Sequence, residues 1–451
     1  MIEFETICAL ATAPGGALGI IRVSGPKAFD AVSSISSVRC HSVAANTIHF
    51  TRLIAPSPVE GEQGEILDEA LISIFRAPHS YTGEDCVEIS CHGSAYILNK
   101  VLEALITKGC RMAQPGEFTM RAYLNGKMDL SQAEAVADII ASTNRATHHI
   151  AMAQLRGRFS SELSDLREKL LKLTSLLELE LDFSDHEDLE FADRAELYAL
   201  AQKIDTHITQ LTNSFQTGQA LKEGIPVAIV GKTNVGKSTL LNRLLKDDRA
   251  IVSNIHGTTR DTIEDTIDIN GVTFRFIDTA GIRQTNDQVE QIGIGRTYAA
   301  IEKARIVLWL LDAEPTKEEA KDIKERCNNK SLIIIQNKID KNETEFKSDL
   351  KISAKQGEGI DTLEQAIYQA ADISSITDTD VIVTNARHYE ALTKAHESLL
   401  RVIDGIHMLL SGDLLSEDLR LTIDTLAEIT GGQITTHEVL GNIFKHFCVG
   451  K

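Results

Sequence analysis

The chain has 451 residues, a formal net charge of −19 and a pI near 5.2. This length provides for about three domains of ~150 residues, each with a core of its own. Because the acidic charge repels phosphate, any contact with nucleic acid has to be local. Seven cysteines without a C-x-x-C pair fit a reducing compartment and argue against a disulfide framework or a thiolate zinc site.

The amino-terminal residues, MIEFETICALATAPGG, carry acidic side chains where a signal peptide would be basic. No uninterrupted apolar run approaches the ~20 residues that a membrane span needs. We therefore expect a cytoplasmic protein without a membrane span.

Residues 1–118 have the pattern of a mixed α/β domain. Short apolar runs at Leu18–Val23 and Ala70–Phe75 predict strands, and the apolar spacing in Ser94–Lys108 predicts a helix. Residues 119–215 repeat apolar side chains at three and four positions with charges between them, which predicts packed helices.

Residues 216–375 alternate apolar strands with helices, which predicts a doubly wound, mostly parallel sheet. Helical periodicity returns in the last segment, residues 376–451. Since the termini of a domain usually lie close together, the two helical segments predict one all-α domain with the α/β domain inserted into it. The expected strands of the inserted domain are Val227–Val230, Thr273–Ile277, Ile306–Leu311, Leu332–Ile335 and Leu350–Ile352.

The stretch Ile225–Leu240 contains a phosphate-binding loop. Gly231, Gly236, Lys237 and Ser238 fill the pattern G-x-x-x-x-G-K-[ST] between an apolar strand and the start of a helix. The glycines let backbone N–H groups wrap round a phosphate, and Lys237 adds a positive charge that also serves catalysis. Ser238 is placed to bind Mg²⁺ through its hydroxyl. For this motif alone, a glycine-rich turn before an ordinary helix is the alternative.

Three later motifs, each after a predicted strand, indicate a guanine nucleotide. Asp278–Gly281 (D-T-A-G) supplies a carboxylate that holds Mg²⁺ through water and a backbone N–H for the terminal phosphate. In Asn337–Asp340 (N-K-I-D), the last carboxylate can accept two parallel hydrogen bonds from N1 and N2 of guanine. Adenine offers no such pair, which argues against a P-loop ATPase. Ser353–Lys355 (S-A-K) adds backbone and aliphatic contact to the same base.

The polar segment Ser253–Asp261 suits a switch that the terminal phosphate and Mg²⁺ order, with Thr259 as the second Mg²⁺ ligand. Ile282 stands where Ras-like proteins keep a water-orienting Gln, so another group has to position the water. Glu290 is the candidate, although a solvated surface glutamate is the alternative. The expected nucleotide contacts are Asn234, Val235, Gly236, Lys237, Ser238, Thr239, Ser253, Asn254, Ile255, His256, Gly257, Thr258, Thr259, Asp278, Thr279, Ala280, Gly281, Asn337, Lys338, Asp340, Ser353, Ala354 and Lys355.

Together these residues resemble the MnmE (TrmE) family of tRNA-modification GTPases, and the likeness covers the whole chain. The motifs that carry it include the loop G-K-T-N-V-G-K-S, the switch G-T-T-R-D, the run PGEFTMRAYLNGKMDLSQAEAV and the ending C-V-G-K. The resemblance implies a folate-binding-like amino-terminal α+β domain, a helical domain formed by two flanking segments, and an inserted Ras-like P-loop G domain. It also places Glu290 on the catalytic glutamate of the family.

The resemblance further implies a homodimer held by the amino-terminal domains, whose G domains close on each other with GTP and K⁺. The implied K⁺ ligands are the Asn234 side chain, the main-chain oxygens of Ser253 and Ile255, and Thr258. In the family this K⁺ supplies the charge compensation that an arginine finger supplies elsewhere. Thr233 replaces the usual proline of the family loop, which removes stiffness but no oxygen that the mechanism needs.

The amino-terminal domain of the family resembles the folate-binding domain of one-carbon transferases. The implied ligand is 5-formyl- or 5,10-methylene-tetrahydrofolate, bound by Arg22, Glu88, Lys127 and Lys451. A carboxylate can pair with the N–H groups of the pterin ring, and Arg and Lys can hold the glutamate tail. From the bare sequence each of these residues would be an ordinary surface charge.

Cys448 lies near a basic terminus, where a thiol of low pKa could add to a uracil ring, but a half-buried cysteine at a helix end is the favoured alternative. Cys86, Cys91 and His92 lack a fourth metal ligand at the usual spacing, so packing is the better interpretation.

The leading hypothesis is a K⁺-dependent GTPase that works with a flavin-dependent partner of the MnmG (GidA) type in a heterotetramer. The complex would install an aminomethyl or carboxymethylaminomethyl group on C5 of the wobble uridine, U34, of tRNA. FAD and NADH would belong to the partner, because Gly15–Gly19 does not space as G-x-G-x-x-G. The alternative is a regulatory or ribosome-assembly GTPase switch without one-carbon chemistry, which predicts a basic RNA-binding appendage that the acidic carboxy-terminal block does not offer.

Overall fold

The structure is a computed structural model that describes residues 5–55, 64–182, 194–247, 265–277, 290–341, 346–373 and 381–432, and residues 440, 443–445, 447–448 and 450 near the carboxyl terminus. Its internal contacts divide the chain into two compact units. Unit 1 consists of Met1–Ile140, Gln154–Glu168 and Ile423–Lys451, and unit 2 of Ala141–Ala153 and Lys169–Thr422.

Unit 1 is built on a six-stranded sheet with the order β3-β4-β5-β2-β1-β6. All neighbouring strands pair antiparallel except β1 and β6, which are parallel. Alternating side chains of each strand face the core, as the two-residue period of a strand requires. The strands are β1 Ile7–Leu10, β2 Leu18–Ser24, β3 Thr47–Ile54, β4 Ile66–Phe75, β5 Cys86–His92 and β6 Arg111–Met112.

Helices α1 (Ala28–Ile35) and α2 (Ala95–Thr107) bury their apolar stripes against this sheet. They are followed by α3 (Glu117–Leu124) and α4 (Leu130–Ala141), and then by α5 (Arg145–Leu155) and α6 (Arg158–Asp182). The predicted strands at β2 and β4 and the predicted helix at α2 are confirmed. The strands β1, β3, β5 and β6 had no separate prediction.

A buried ion network ties α3 to the strands of unit 1. The guanidinium of Arg121 is fully buried and donates to Glu84 at 3.1 Å and to Glu117 at 2.8 Å. Burial alone would raise the pKa of Glu117, but hydrogen bonds from Arg111, the Gln114 N–H and Arg121 hold that pKa below its ordinary value. The stabilisation from Glu117 is therefore complete at neutral pH and is lost as the pH falls through the lowered pKa.

Unit 2 contains a second six-stranded sheet with the order β12-β11-β10-β7-β9-β8. All neighbours are parallel except β8 and β9. The strands are β7 Ile225–Val230, β8 Asp265–Ile269, β9 Val272–Phe276, β10 Ile306–Leu311, β11 Ser331–Gln336 and β12 Leu350–Lys351. The helices of this domain are α8 Lys237–Asp247, α9 Glu290–Lys303, α10 Lys317–Arg326 and α11 Ile360–Ala370. The doubly wound sheet and its five predicted strands are confirmed.

The sixth strand of this sheet, β8, was not predicted. Its sequence, DTIDI, buries only alternate residues because it lies at an edge and pairs with a single neighbour. It therefore lacks the continuous apolar run that marks the buried parallel strands.

Helices from both flanks of the sheet domain pack together in unit 2, which confirms the predicted insertion. They are α7 (Arg194–Glu223), α12 (Ala386–His407) and the first part of α13 (Gly412–Thr430), which belongs to unit 2 as far as Thr422. Between α7 and α12, Asp205 pairs with His396 at 2.7 Å, and the rings of Phe215 and Tyr389 stack with their centroids 4.4 Å apart. Within the described ranges no helix combines the length and apolar character needed to cross a membrane.

Replacing Arg121 with Met should destabilise the chain by about 3–5 kcal/mol, because the half-buried Glu84 loses its guanidinium partner and the buried Glu117 keeps only Arg111 as its cation. The matched control is Arg52→Met, which breaks the exposed pair of Arg52 with Glu69 on β3 and β4 and should cost less than about 1 kcal/mol. Urea unfolding followed by far-UV circular dichroism measures both. Equal losses would contradict the importance of the buried network.

Candidate functional site

The phosphate-binding loop joins β7 to α8 at the carboxyl end of the parallel sheet. Both of its glycines have backbone conformations that disfavour other residues, with φ of +152° at Gly231 and +103° at Gly236. A Cβ at Gly231 would collide with the carbonyl of Leu310, and one at Gly236 with the amide of Asn337. The loop can therefore follow this path only with glycine at both positions.

Lys237 begins α8 and turns back over the loop. Its ammonium donates to the carbonyl oxygens of Gly231 and Lys232, each at 2.7 Å. Burial lowers the pKa of Lys237, since desolvation disfavours the charged form. Ser238 follows in the first turn of α8, where unpaired N–H groups and the helix dipole favour an anion.

The side chain of Asn337, which follows β11, connects three segments of the site. Its Nδ2 donates to the carbonyl of Val235 at 2.7 Å, and its Oδ1 accepts from the N–H of Ala354 at 3.0 Å. The amide is buried, with 2% of the residue exposed. The structure thus brings together the phosphate loop, Asn337–Asp340 and Ser353–Lys355.

The remaining polar groups at this edge hold one another in place. Ser353 donates to the Asp340 carboxylate at 2.8 Å, and Lys338 donates to Asp312 at 2.7 Å. The carbonyl of Lys355 lies 3.5 Å from a guanidinium nitrogen of Arg243. Asp340 itself is exposed, so its carboxylate is available to a ligand as well as to Ser353.

Several predicted residues lie outside the described part of the chain: Ser253, Asn254, Ile255, His256, Gly257, Thr258, Thr259, Asp278, Thr279, Ala280, Gly281 and Lys451. Glu290 is the first residue of α9, but its side chain is outside the described atoms. Asn234 is described. It is exposed at the tip of the phosphate loop with a left-handed φ of 62°.

In unit 1, Arg22 on β2 and Glu88 on β5 are directly opposite each other in the strand register. Nε and Nη2 of Arg22 donate to the same carboxylate oxygen of Glu88, at 2.9 and 2.7 Å. Nη1 donates to the carbonyl of Gly450 at 3.2 Å, and the guanidinium lies 5.2 Å from the ring centroid of Tyr81. The residues near the carboxyl terminus therefore reach this pair.

Among the described contacts, Lys127 reaches the loop that contains Tyr81. In the same set of contacts it does not reach Arg22 or Glu88. Its ammonium donates to the carbonyl of Pro78 at 2.9 Å. The Tyr81 hydroxyl is 2.8 Å from that of Thr119 on α3, which fixes the ring against the guanidinium.

A cleft of about 410 Å³ opens beside this region. It is lined by Leu10, Ala11, Thr12, Ala13, Pro14, Met112, Ile140 and Cys448. Cys448 is exposed, and its carbonyl accepts a hydrogen bond from the N–H of Gly116 at 3.2 Å. The end of β1 and the carboxy-terminal residues thus form one surface.

The other six cysteines are buried. Burial raises the pKa of Cys86 to about 12 and that of Cys91 to about 11. His92 does not join these thiols, because its Nδ1 is 2.8 Å from the carboxylate of Asp68. The two cysteines pack within the sheet of unit 1.

Sequence reasoning missed Asp312, the cleft and the contact of Tyr81 with Arg22. Asp312 follows β10 at the sheet edge where the described nucleotide motifs lie, so its position in the strand order was an available signal. Tyr81 and the cleft residues are joined to Arg22 only by tertiary contacts, for which the sequence offers no spacing rule.

Two family models match the chain. One, described as the MnmE helical domain, matches residues 130–448, and the other, described as the GTP-binding protein TrmE N-terminus, matches residues 6–127. The chain is 52% identical over 498 residues to the tRNA modification GTPase MnmE of Phocaeicola vulgatus, with 100% of both chains covered. It is 53% identical over 471 residues to that of Bacteroides thetaiotaomicron, with 99% of each covered. The G domain of the T. maritima FeoB iron transporter matches 33% of this chain and 98% of its own length, with 22% identity and a TM-score of 0.24.

Proposed function

The chain belongs to the MnmE family of tRNA modification GTPases, and from this premise we propose that it is a K⁺-dependent GTPase acting at U34 of tRNA. It would act with a flavin-dependent partner of the MnmG type and take a one-carbon unit from tetrahydrofolate. One observation supports the GTP-binding part of this proposal. The Asn337 amide joins the phosphate loop, the segment Asn337–Asp340 and the segment Ser353–Lys355.

GTP would lie with its base against Asp340 and its phosphates in the loop. The Asp340 carboxylate, oriented by Ser353, accepts from N1 and N2 of guanine. Lys237 and the backbone N–H groups of the loop neutralise and orient the phosphates. Glu290 would hold the attacking water, since Ile282 has no polar group for that task.

The described residues fit the implied metals. Ser238 would hold Mg²⁺ together with Thr259, because its hydroxyl is in the first turn of α8 beside the loop. Asn234 would hold K⁺ together with Ser253, Ile255 and Thr258, because its side chain is exposed at the loop tip. These cations supply positive charge where the transferred phosphoryl group becomes more negative.

GTP turnover should be at least tenfold faster in KCl than in NaCl at equal ionic strength. Asn234→Ala should remove most of that difference without weakening GDP binding, because Asn234 is proposed as a K⁺ ligand. Thr233→Ala, a change of the adjacent loop residue, is the control and should keep the K⁺ response. Steady-state phosphate release measures GTP turnover of the wild type and both variants. Equal wild-type rates in the two salts would contradict the K⁺ proposal.

A second copy would cover the open face of the unit 1 sheet. Ile48, Phe50 and Leu71 are 66%, 65% and 46% exposed, and Phe50 and Leu71 are directly opposite each other on β3 and β4. An exposed apolar cluster of this kind, with the charged pair Arg52 and Glu69 beside it, marks an interaction surface, and burial in a homodimer would remove it from water.

The chain should therefore sediment as a dimer at micromolar concentration. Phe50→Glu should shift it toward the monomer, because the charge would be buried at the interface. Arg52→Glu, on the same face of β3 but already charged, is the control and should have a smaller effect. A wild-type chain that sediments as a monomer contradicts this proposal.

The residues in unit 1 fit a reduced folate. Glu88 offers a carboxylate whose orientation Arg22 fixes, Tyr81 offers a ring, and the neighbouring cleft of about 410 Å³ has room for a small ligand. Lys127 and Lys451 would hold the glutamate tail. When bound, the folate would supply the methylene carbon for the uridine.

Titration of the full chain with 5-formyltetrahydrofolate should show saturable binding. Glu88→Gln should weaken it at least tenfold, because the amide keeps the shape but loses the charge that pairs with pterin N–H groups. Glu69→Gln changes an exposed carboxylate on β4 and is the matched control. If the wild-type chain shows neither a heat nor a fluorescence change on titration, the proposed one-carbon chemistry is wrong. The remaining hypothesis is then a GTPase switch.

A further inference from the structure

Helix α12 ends in a motif that places a leucine in a backbone conformation suited to glycine. The N–H of Leu410 donates to the carbonyl of Gly405 at 2.9 Å, and that of Leu409 donates to the carbonyl of Ile406 at 3.2 Å. This pair of bonds defines a Schellman motif with Leu409 at the left-handed position, where its φ is 59°. A Cβ at that position makes close contacts that glycine avoids.

Three other described helices end in the same motif with glycine at this position, and α11 places Asp372 there with a φ of 50°. Gly109 after α2, Gly126 after α3 and Gly431 after α13 occupy the equivalent position, with φ of 91°, 68° and 88°. Leucine at the end of α12 departs from these examples, because it has neither the missing Cβ of glycine nor the short polar side chain that lets Asp adopt the left-handed conformation. Such outliers persist where the side chain has a use that offsets the backbone strain.

Burial does not account for that use. Leu409 is 72% exposed, and its neighbours Met408 and Leu414 are 70% and 59% exposed. Leu410 is different, since its Cδ1 lies 3.3 Å from where a Cβ of Gly405 would be and so packs on the helix end. Met408, Leu409 and Leu414 remain as an apolar surface, here called the hairpin tip, that the fold does not need.

The charges around the hairpin tip are acidic. Asp404, Asp413 and Glu417 are all exposed near it. Two nearby arginines are engaged within the chain: Arg194 donates to the carbonyl of Leu410, and Arg401 pairs with Asp418 at 2.6 Å. A tRNA backbone would be repelled here, whereas a protein with basic side chains round an apolar pocket would be attracted.

We propose that the hairpin tip is the docking surface for a protein partner that presents an apolar pocket rimmed by Lys and Arg. This inference rests on the proposed function, which names the flavin-dependent protein as the protein partner, and we take that protein as the occupant. Leu409 is the central anchor, held outward by the left-handed turn. Met408 and Leu414 flank it and exclude water from the contact.

The test replaces Leu409 with Gly in the full chain. The substitution relieves the backbone strain, so the melting temperature should stay the same or rise by about 2 °C. GTP turnover of the chain alone should not change. The dissociation constant of the complex with the purified flavin-dependent protein should rise at least tenfold. The double variant Met408→Ser with Leu414→Ser should show the same loss of affinity.

Leu400→Ser is the matched control, because Leu400 is 40% exposed on the same helix about 13 Å from Leu409. It should bind the flavoprotein as the wild type does. Unchanged binding by Leu409→Gly, or a lower melting temperature, overturns the docking role. If the variant binds the flavoprotein normally but binds tRNA more weakly or no longer dimerises, the hairpin tip serves another contact. That outcome also overturns the proposal. If the wild-type chain does not bind the flavoprotein, the proposed partnership fails along with this inference.

Discussion

The nucleotide site of unit 2 depends on one buried amide. Asn337 donates to the phosphate loop through Val235 and accepts from the turn that carries Ser353–Lys355, and its position explains why Gly236 tolerates no side chain. The amide supplies both a donor and an acceptor, whereas a carboxylate lacks the donor and an aliphatic side chain lacks both groups. A single buried side chain therefore links the phosphate loop to the segments Asn337–Asp340 and Ser353–Lys355.

Unit 1 arranges its polar groups in a different way. Its polar groups are charged side chains on adjacent antiparallel strands, and their geometry comes from the strand register that places Arg22 opposite Glu88. Behind them, the buried Arg121 holds the loop that carries Tyr81 through Glu84. At the phosphate loop, unit 2 thus exposes mostly backbone groups and a helix end, whereas unit 1 exposes a carboxylate and a guanidinium that fix each other's orientation.

The predictable parts of the molecule are those whose chemistry is local in sequence. The loop at Gly231–Ser238 and the motif Asn337–Asp340 could be identified because neighbouring residues form each contact surface. The hydrogen bond from Asn337 to Val235 spans 102 residues, and no spacing rule predicts it. The edge strand β8 was missed because its polar residues face outward, and the left-handed conformation of Leu409 has no sequence signal when glycine is absent.

The distribution of thiols gives the chain a built-in position for a spectroscopic reporter. Six cysteines are buried and Cys448 alone is exposed, on the rim of the cleft in unit 1. A maleimide dye added to the folded, unsubstituted chain would therefore react at one position, because the buried thiols are shielded from the reagent. The dye would be next to the carboxy-terminal residues that contact Arg22, and its emission would follow changes in that surface in real time without any substitution.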